Sequence, residues 1–333
     1  MSIQDYLFQQ IKEKLPANAS LADAIAGALH VSADSAYRRI RGETPLVLDE
    51  VRKLCEDFSV SLDEALRAGP STVSFRYNQV NPSVNSFRDY LGNILDALTA
   101  LEQGGSGDLI YLTKDIPVFY NFLFRPLFAF RYFFWMKSIL QHPDFTHTPF
   151  SIDMLPAETE ELGRRIAGAY ARLPSTEIWN TECVNSTIAQ VEYYREAGYF
   201  SSERDIQKIY DSLYRLLEHL REQAAAGAKF LPGESFSSKA ENYSLFYNRV
   251  VLGDNTVLAR ASGRHTVYLS SDVLNYMVTT NEDFCAATFE RLQTLMRRAT
   301  LISQSSEKQR NIFFNILLKK FPNRASAVLN SSL

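Results

Sequence analysis

The first 68 residues fall into short stretches of three-and-four apolar spacing, punctuated by capping serines and by the helix breakers Pro16 and Gly42. That punctuation restricts this part of the chain to a compact set of small helices. Residues 2–15 carry Ile3, Tyr6, Leu7, Gln10, Ile11 and Lys14 at helical spacing and are closed by Pro16. Ser20 reads as an N-cap, with Asp23 completing an acidic variant of the capping box. Leu21, Ile25 and Leu29 line one face of a second helix; His30-Val31 makes a tight turn, and Ser32 caps a third helix over 33–41, stopped by Gly42. Beyond Glu43-Thr44-Pro45, the positions Leu48, Val51, Leu54, Cys55 and Phe58 share a face of a fourth, and Ser61-Leu62-Asp63-Glu64 opens a fifth.

At 333 residues the chain is about twice the size of one core, so two or three domains are expected. Residues 69–82, with Gly69-Pro70 and Asn81-Pro82, read as a linker, and 83–333 as a regulatory region of one domain or two, with a change of texture near 240. In that region Phe87 to Leu101 marks a long helix, 109–112 a short strand, and 157–172, 182–197 and 203–226 further helices. Residues 243–252, 256–261 and 265–269 read as a three-stranded antiparallel meander, followed by helices over about 282–302 and 305–320 and a polar tail from Pro322. The expected fold is mainly α: a five-helix N-terminal domain, then a larger, helix-dominated α+β region with a small antiparallel meander.

Hydrophobic residues make up 46% and charged residues 22%, ordinary for a folded chain. Cys55, Cys183 and Cys285 lie far apart, with no Cys-x-x-Cys pair or Cys/His cluster for a zinc site, so a reducing cytoplasm and no metal or cofactor are expected. The N-terminus lacks a signal-peptide pattern. Arg125, Pro126, Arg131 and Lys137 interrupt the most apolar stretch, Ile116 to Leu140, which therefore reads as buried core and not as a membrane span.

The run Leu21-Ala22-Asp23-Ala24-Ile25-Ala26-Gly27-Ala28-Leu29-His30-Val31-Ser32-Ala33-Asp34-Ser35-Ala36-Tyr37-Arg38-Arg39-Ile40-Arg41-Gly42 resembles a phage-repressor or Cro-type helix-turn-helix. Val60 to Leu66 resembles that family's closing segment, so the likeness covers residues 3–68. Two positions depart from the pattern: His30 stands where glycine is common, and Arg39 where an aliphatic residue is, with Ile40 one place later. The resemblance implies a first helix across the phosphate backbone and a second whose side chains enter the major groove of double-stranded DNA.

On that reading Ala36 and Ile40 face inward, leaving Ala33, Asp34, Ser35, Tyr37, Arg38 and Arg41 free. Arg38 is the leading base reader, because a guanidinium donates twice to guanine O6 and N7; Asp34 can accept from cytosine N4, and Tyr37 can meet a sugar or a thymine methyl. Phosphates would be met at the helix starts of Ser20 and Ser32, by Arg39 or Arg41, and by Thr44. Charge argues the other way. The whole chain carries −3, and residues 1–70 hold eight Lys and Arg against eleven Asp and Glu.

One helix-turn-helix buries little area, so a homodimer on an inverted-repeat operator is expected, with the larger region supplying the dimer interface. The stretch Pro117 to Trp135 reads either as an aromatic core edged by arginines, or as a pocket for a small-molecule effector in which Tyr120 and Trp135 line the wall and Arg125 or Arg131 captures an anionic group. No Walker loop, dinucleotide turn, nucleophile elbow or His-Glu-x-x-His motif is present, so no catalytic residue is assigned. The function expected is a cytoplasmic, sequence-specific transcriptional regulator; the alternative is a protein-interaction adaptor whose helix-turn-helix-like domain no longer binds DNA.

Overall fold

A computed structural model describes residues 2–16, 19–60, 62, 72–77, 80, 83–105, 107–234, 241–250 and 253–321. The chain divides into two compact units, Met1–Ser74 and Phe75–Leu333.

The first unit contains α1 (Ile3–Lys14), α2 (Leu21–Leu29), α3 (Ala33–Ile40) and α4 (Leu48–Phe58). Ser2, Ser20 and Ser32 cap the first three, each accepting the backbone N–H three residues on. The apolar stripes converge on one core of Leu7, Phe8, Ile11, Ile25, Ala36, Leu54 and Val60. Each large side chain buried there contributes about 1.5–3 kcal/mol. The expectation of five helices is corrected to four among the described residues; the fifth, opening at Ser61, lies outside them apart from Leu62.

The second unit is built on an eight-stranded mixed sheet. Its strands are β1 (Arg76–Tyr77), β2 (Asp108–Leu112), β3 (Ser175–Trp179), β4 (Tyr243–Tyr247), β5 (Thr256–Ala261), β6 (Arg264–Ser270), β7 (Tyr276–Thr279) and β8 (Thr300–Leu301). Their order is β1-β7-β6-β5-β2-β3-β4-β8, with β2, β3 and β4 parallel and the other pairs antiparallel. The helices are α5 (Val84–Gln103), α6 (Arg125–Phe134), α7 (Ala157–Arg172), α8 (Asn185–Glu196), α9 (Glu203–Ala226), α10 (Glu282–Arg298) and α11 (Glu307–Leu318). One sheet face carries Tyr111, Trp179, Tyr243, Leu245 and Tyr247 into the main aromatic core. The other carries Ile110, Ile178, Leu258 and Val267 against Cys285 and Leu292 of α10.

The described residues are mainly α, 56% helical with 13% strand, but the region after the first unit is not the helix-dominated body with a small meander that the sequence suggested. The meander exists as β5-β6-β7, whereas 243–247 is β4, which pairs with β3 and β8. A parallel pair needs a long crossover, here supplied by α8 and α9 between β3 and β4. Local turn signals cannot report such a distant partner. The strands on either side of position 240 hydrogen-bond into the same sheet.

Candidate functional site

In the first unit the α2 to α3 connection turns on His30, which adopts a left-handed conformation (φ 55°, ψ 42°) where glycine would be unstrained. Its N–H, with that of Val31, closes the end of α2 onto the Gly27 and Ala26 carbonyls. On α3, Ala33, Asp34, Tyr37 and Arg38 are exposed, positions i, i+1, i+4 and i+5 of a single stripe, and exposed Arg41 follows the helix end on the same side. Ala36, on the opposite side, is fully buried.

The three arginines have different surroundings. Arg38 pairs with Asp34 at 3.1 Å, with side chains 59% and 70% exposed, and Arg41 pairs with Glu43 at 3.1 Å, also in water. Arg39 turns inward. Its Nη2 and Nε donate to Glu50 of α4 at 2.7 and 3.3 Å, and its Nη1 donates to the Ser35 hydroxyl and carbonyl at 2.6 and 3.2 Å. The Arg39 guanidinium holds the Glu50 carboxyl below its ordinary range. Arg39 and Ser35 thus fasten α3 to α4 and are withdrawn from the outward stripe.

Gln4 of α1 completes the support. Its Nε2 donates to the Arg39 and Thr44 carbonyls at 2.7 and 3.0 Å, and its Oε1 accepts the Leu46 N–H at 2.9 Å. Thr44 is therefore fixed through its backbone, half-buried. Ser20 and Ser32 cap α2 and α3 with their side-chain oxygens, as N-caps do. The roles of Gln4 and Glu50 were not read from the sequence; a glutamine in the first turn of α1 carries no local sign that it reaches a carbonyl 40 residues on.

In the second unit the four residues considered for a ligand pocket are not brought together. Tyr120 points at Glu177, its hydroxyl donating to Oε1 at 2.7 Å. Arg125 pairs with Glu160 at the surface. Arg131 is buried, donating to Asn121 at 3.2 Å and to Thr187 and Gln190 of α8; desolvation pulls its pKa down to about 10. Trp135 packs on Phe87 with ring centroids 5.5 Å apart. The aromatic run of 117–135 is core, most of it under 9% exposed.

The same face holds a charged cluster centred on Glu177 in the middle of β3. Its Oε1 accepts from the hydroxyls of Tyr120 and Tyr170, and its Oε2 from Trp179 Nε1 at 2.7 Å and the Tyr243 hydroxyl at 3.1 Å. Lys229, also buried, donates to the Tyr170 carbonyl at 2.5 Å and lies 3.7 Å from that ring's centre. Burial pushes the Glu177 carboxyl up and the Lys229 amine down to about 7, while their mutual attraction opposes both shifts. Four donors occupy the carboxylate's lone pairs, so the group is braced to fix side chains in place and has no free oxygen with which to take up a substrate proton. Compared with family models, curated proteins and solved structures, the chain matches none of them.

Proposed function

We propose that this chain is a sequence-specific DNA-binding transcriptional regulator, acting in the cytoplasm as a homodimer. On this reading the outward stripe of α3 reads the major groove of an inverted-repeat operator, and the second unit supplies dimerisation and effector binding. The observation that carries the reading is the exposed row Ala33, Asp34, Tyr37 and Arg38 on a helix anchored from behind by Ala36 and the Arg39–Glu50 pair. A groove-reading helix needs both, a free face and a rigid back.

Arg38 exchanges its exposed partner Asp34, an interaction worth about 0–1 kcal/mol, for guanine O6 and N7, where a bidentate contact discriminates by about 1–3 kcal/mol. Asp34 is then released to accept from a cytosine N4. Phosphate contacts come from Arg41, the Thr44 loop and the capped starts of α2 and α3 at Ser20 and Ser32. No helix among the described residues is long and apolar enough to cross a membrane.

A second reading, a protein-interaction adaptor, is favoured by one feature: each of the three arginines already has an acidic partner. Selection from a random double-stranded DNA pool across a salt series separates the two. The regulator enriches an inverted repeat, loses affinity steeply with salt through counterion release, and loses the preference in Arg38→Ala. Absence of enrichment, with only weak binding at every salt concentration, overturns DNA reading in favour of the adaptor.

A further inference from the structure

The loop from Ile302 to Ser306 leads from β8 into α11 and is tied to the core of the second unit. Ile302 is fully buried, and the Ser303 hydroxyl accepts the Leu245 N–H of β4 at 3.1 Å. Ser2, Ser20, Ser32, Ser83 and Ser202 each cap the helix they precede with a side-chain oxygen. Ser306 stands at the same position before α11, but its side chain makes no capping bond. The amides of Glu307, Lys308 and Gln309 are therefore left without an acceptor among the described residues, at the positive end of the helix dipole.

Arg310, one turn in, is a second and independent observation. It is 7% exposed, and its Nη1 donates to the Ile302 and Ser305 carbonyls at 3.0 and 3.1 Å, which lays the guanidinium against the loop that starts the helix. Its Nε and Nη2 have neither a hydrogen bond nor an acidic partner among the described residues, and neither is sealed from solvent. The undescribed stretches of the second unit contain no Asp or Glu that could supply a partner. Arg131, also buried, shows the ordinary arrangement, with one acceptor for each of its three guanidinium nitrogens. A cation as deep as Arg310 is normally matched by an anion, and here the chain supplies none.

Both features suit one ligand. Free amides at a helix start hold the oxygens of an anion, and a guanidinium fork matches two oxygens at once. Ser305 and Ser306 are exposed beside them, and Lys308 adds a second cation in the first turn, where Glu307 is the one carboxylate and is exposed. We infer that the start of α11 binds a phosphate group, held by the amides of Glu307 to Gln309 and by the free edge of Arg310. The site lies within the second unit and stands independently of the DNA reading.

The test uses the full chain without DNA, titrated with inorganic phosphate and with glycerol 3-phosphate against sodium chloride at matched ionic strength. Amide exchange is read by mass spectrometry on peptides covering 302–312. The free amides exchange rapidly in chloride, and a phosphate compound at about ten times its dissociation constant slows them about tenfold. The compound that saturates at lower concentration identifies the source, free ion or ester. Lys308→Glu, a charge reversal at an exposed position, raises the half-saturating concentration about tenfold; Arg310→Lys, which keeps the charge and loses the fork, raises it as well. Exchange at 302–312 that neither phosphate compound slows, slowing that chloride reproduces, or slowing unaffected by Lys308→Glu overturns the site. None of these results depends on whether the first unit reads DNA.

Discussion

Arg39 separates two accounts of the arginine cluster, as a phosphate ligand or as a brace behind α3, and Arg39→Met tests them. Methionine keeps the length and apolar character of the stem while removing the guanidinium. The wild-type contact consists of two charge-assisted bonds to Glu50, 2.7 and 3.3 Å long, between side chains only 14% and 20% exposed. Allowing for residual solvent screening, the loss amounts to about 2 kcal/mol, which corresponds to about a 30-fold rise in the local opening constant. Hydrogen exchange read by mass spectrometry on peptides covering α3 and α4 of the full chain measures this directly. Arg38→Met, at an exposed pair, is the control and changes exchange by less than about twofold. Because Arg39 depresses the Glu50 carboxyl, the contribution is present above the ordinary glutamate range and is lost as pH falls through the lowered value, so wild-type exchange approaches that of the variant in acid. If Arg39→Met leaves exchange unchanged and instead lowers the salt slope of DNA binding by about one, Arg39 is a phosphate ligand and the reasoning is refuted.

Glu177→Gln places an amide among four donors that all require an acceptor and leaves Lys229 without its counter-charge; destabilisation of about 3–5 kcal/mol is expected in urea unfolding followed by tryptophan fluorescence, and a loss below about 1 kcal/mol would show that the carboxyl is already neutral. Lys229 titrates near 7 when folded against 10.5 when unfolded, so between those values the unfolded chain binds more protons and stability rises with pH; the urea midpoint should increase from pH 7 to 9.5 in wild type and lose that slope in Lys229→Met, and equal slopes in the two would contradict the assignment. Gly163→Ala on α7 sets a methyl 2.5 Å from the Phe128 ring, and overpacking of about 1–3 kcal/mol should outweigh the helix-propensity gain; a more stable variant in thermal unfolding would show that the ring has room to move.

The sequence by itself determined the elements whose causes are local. Serines at 2, 20 and 32, an apolar row on each following helix and a stop at Pro16 or Gly42 are nearest-neighbour signals, and the structure forms α1, α2 and α3 there. The same holds for α7 and α9, found over the spans their periodicity gives. β3 was hidden because Ser-Thr-Glu-Ile-Trp puts a carboxylate in the middle of a strand, and only three hydroxyls and an indole, drawn from positions 120, 170, 179 and 243, make that carboxylate tolerable inside the core. β8 was read as the end of a helix and β4 as part of a meander, because a strand's partner is chosen across the fold and not along the chain.

Of the candidate DNA-reading residues, Asp34, Tyr37 and Arg38 follow from helical period alone, whereas the inward turn of Arg39 depended on Glu50 arriving from the next helix and on Gln4 holding the intervening loop. A polar cavity at the strand starts has no sequence signature at all: its wall comes from segments between 108 and 304, which only the closing of the sheet brings together. Local spacing fixes which residues share a face; what that face meets is decided by contacts whose entropy cost the chain recovers only when the whole core assembles.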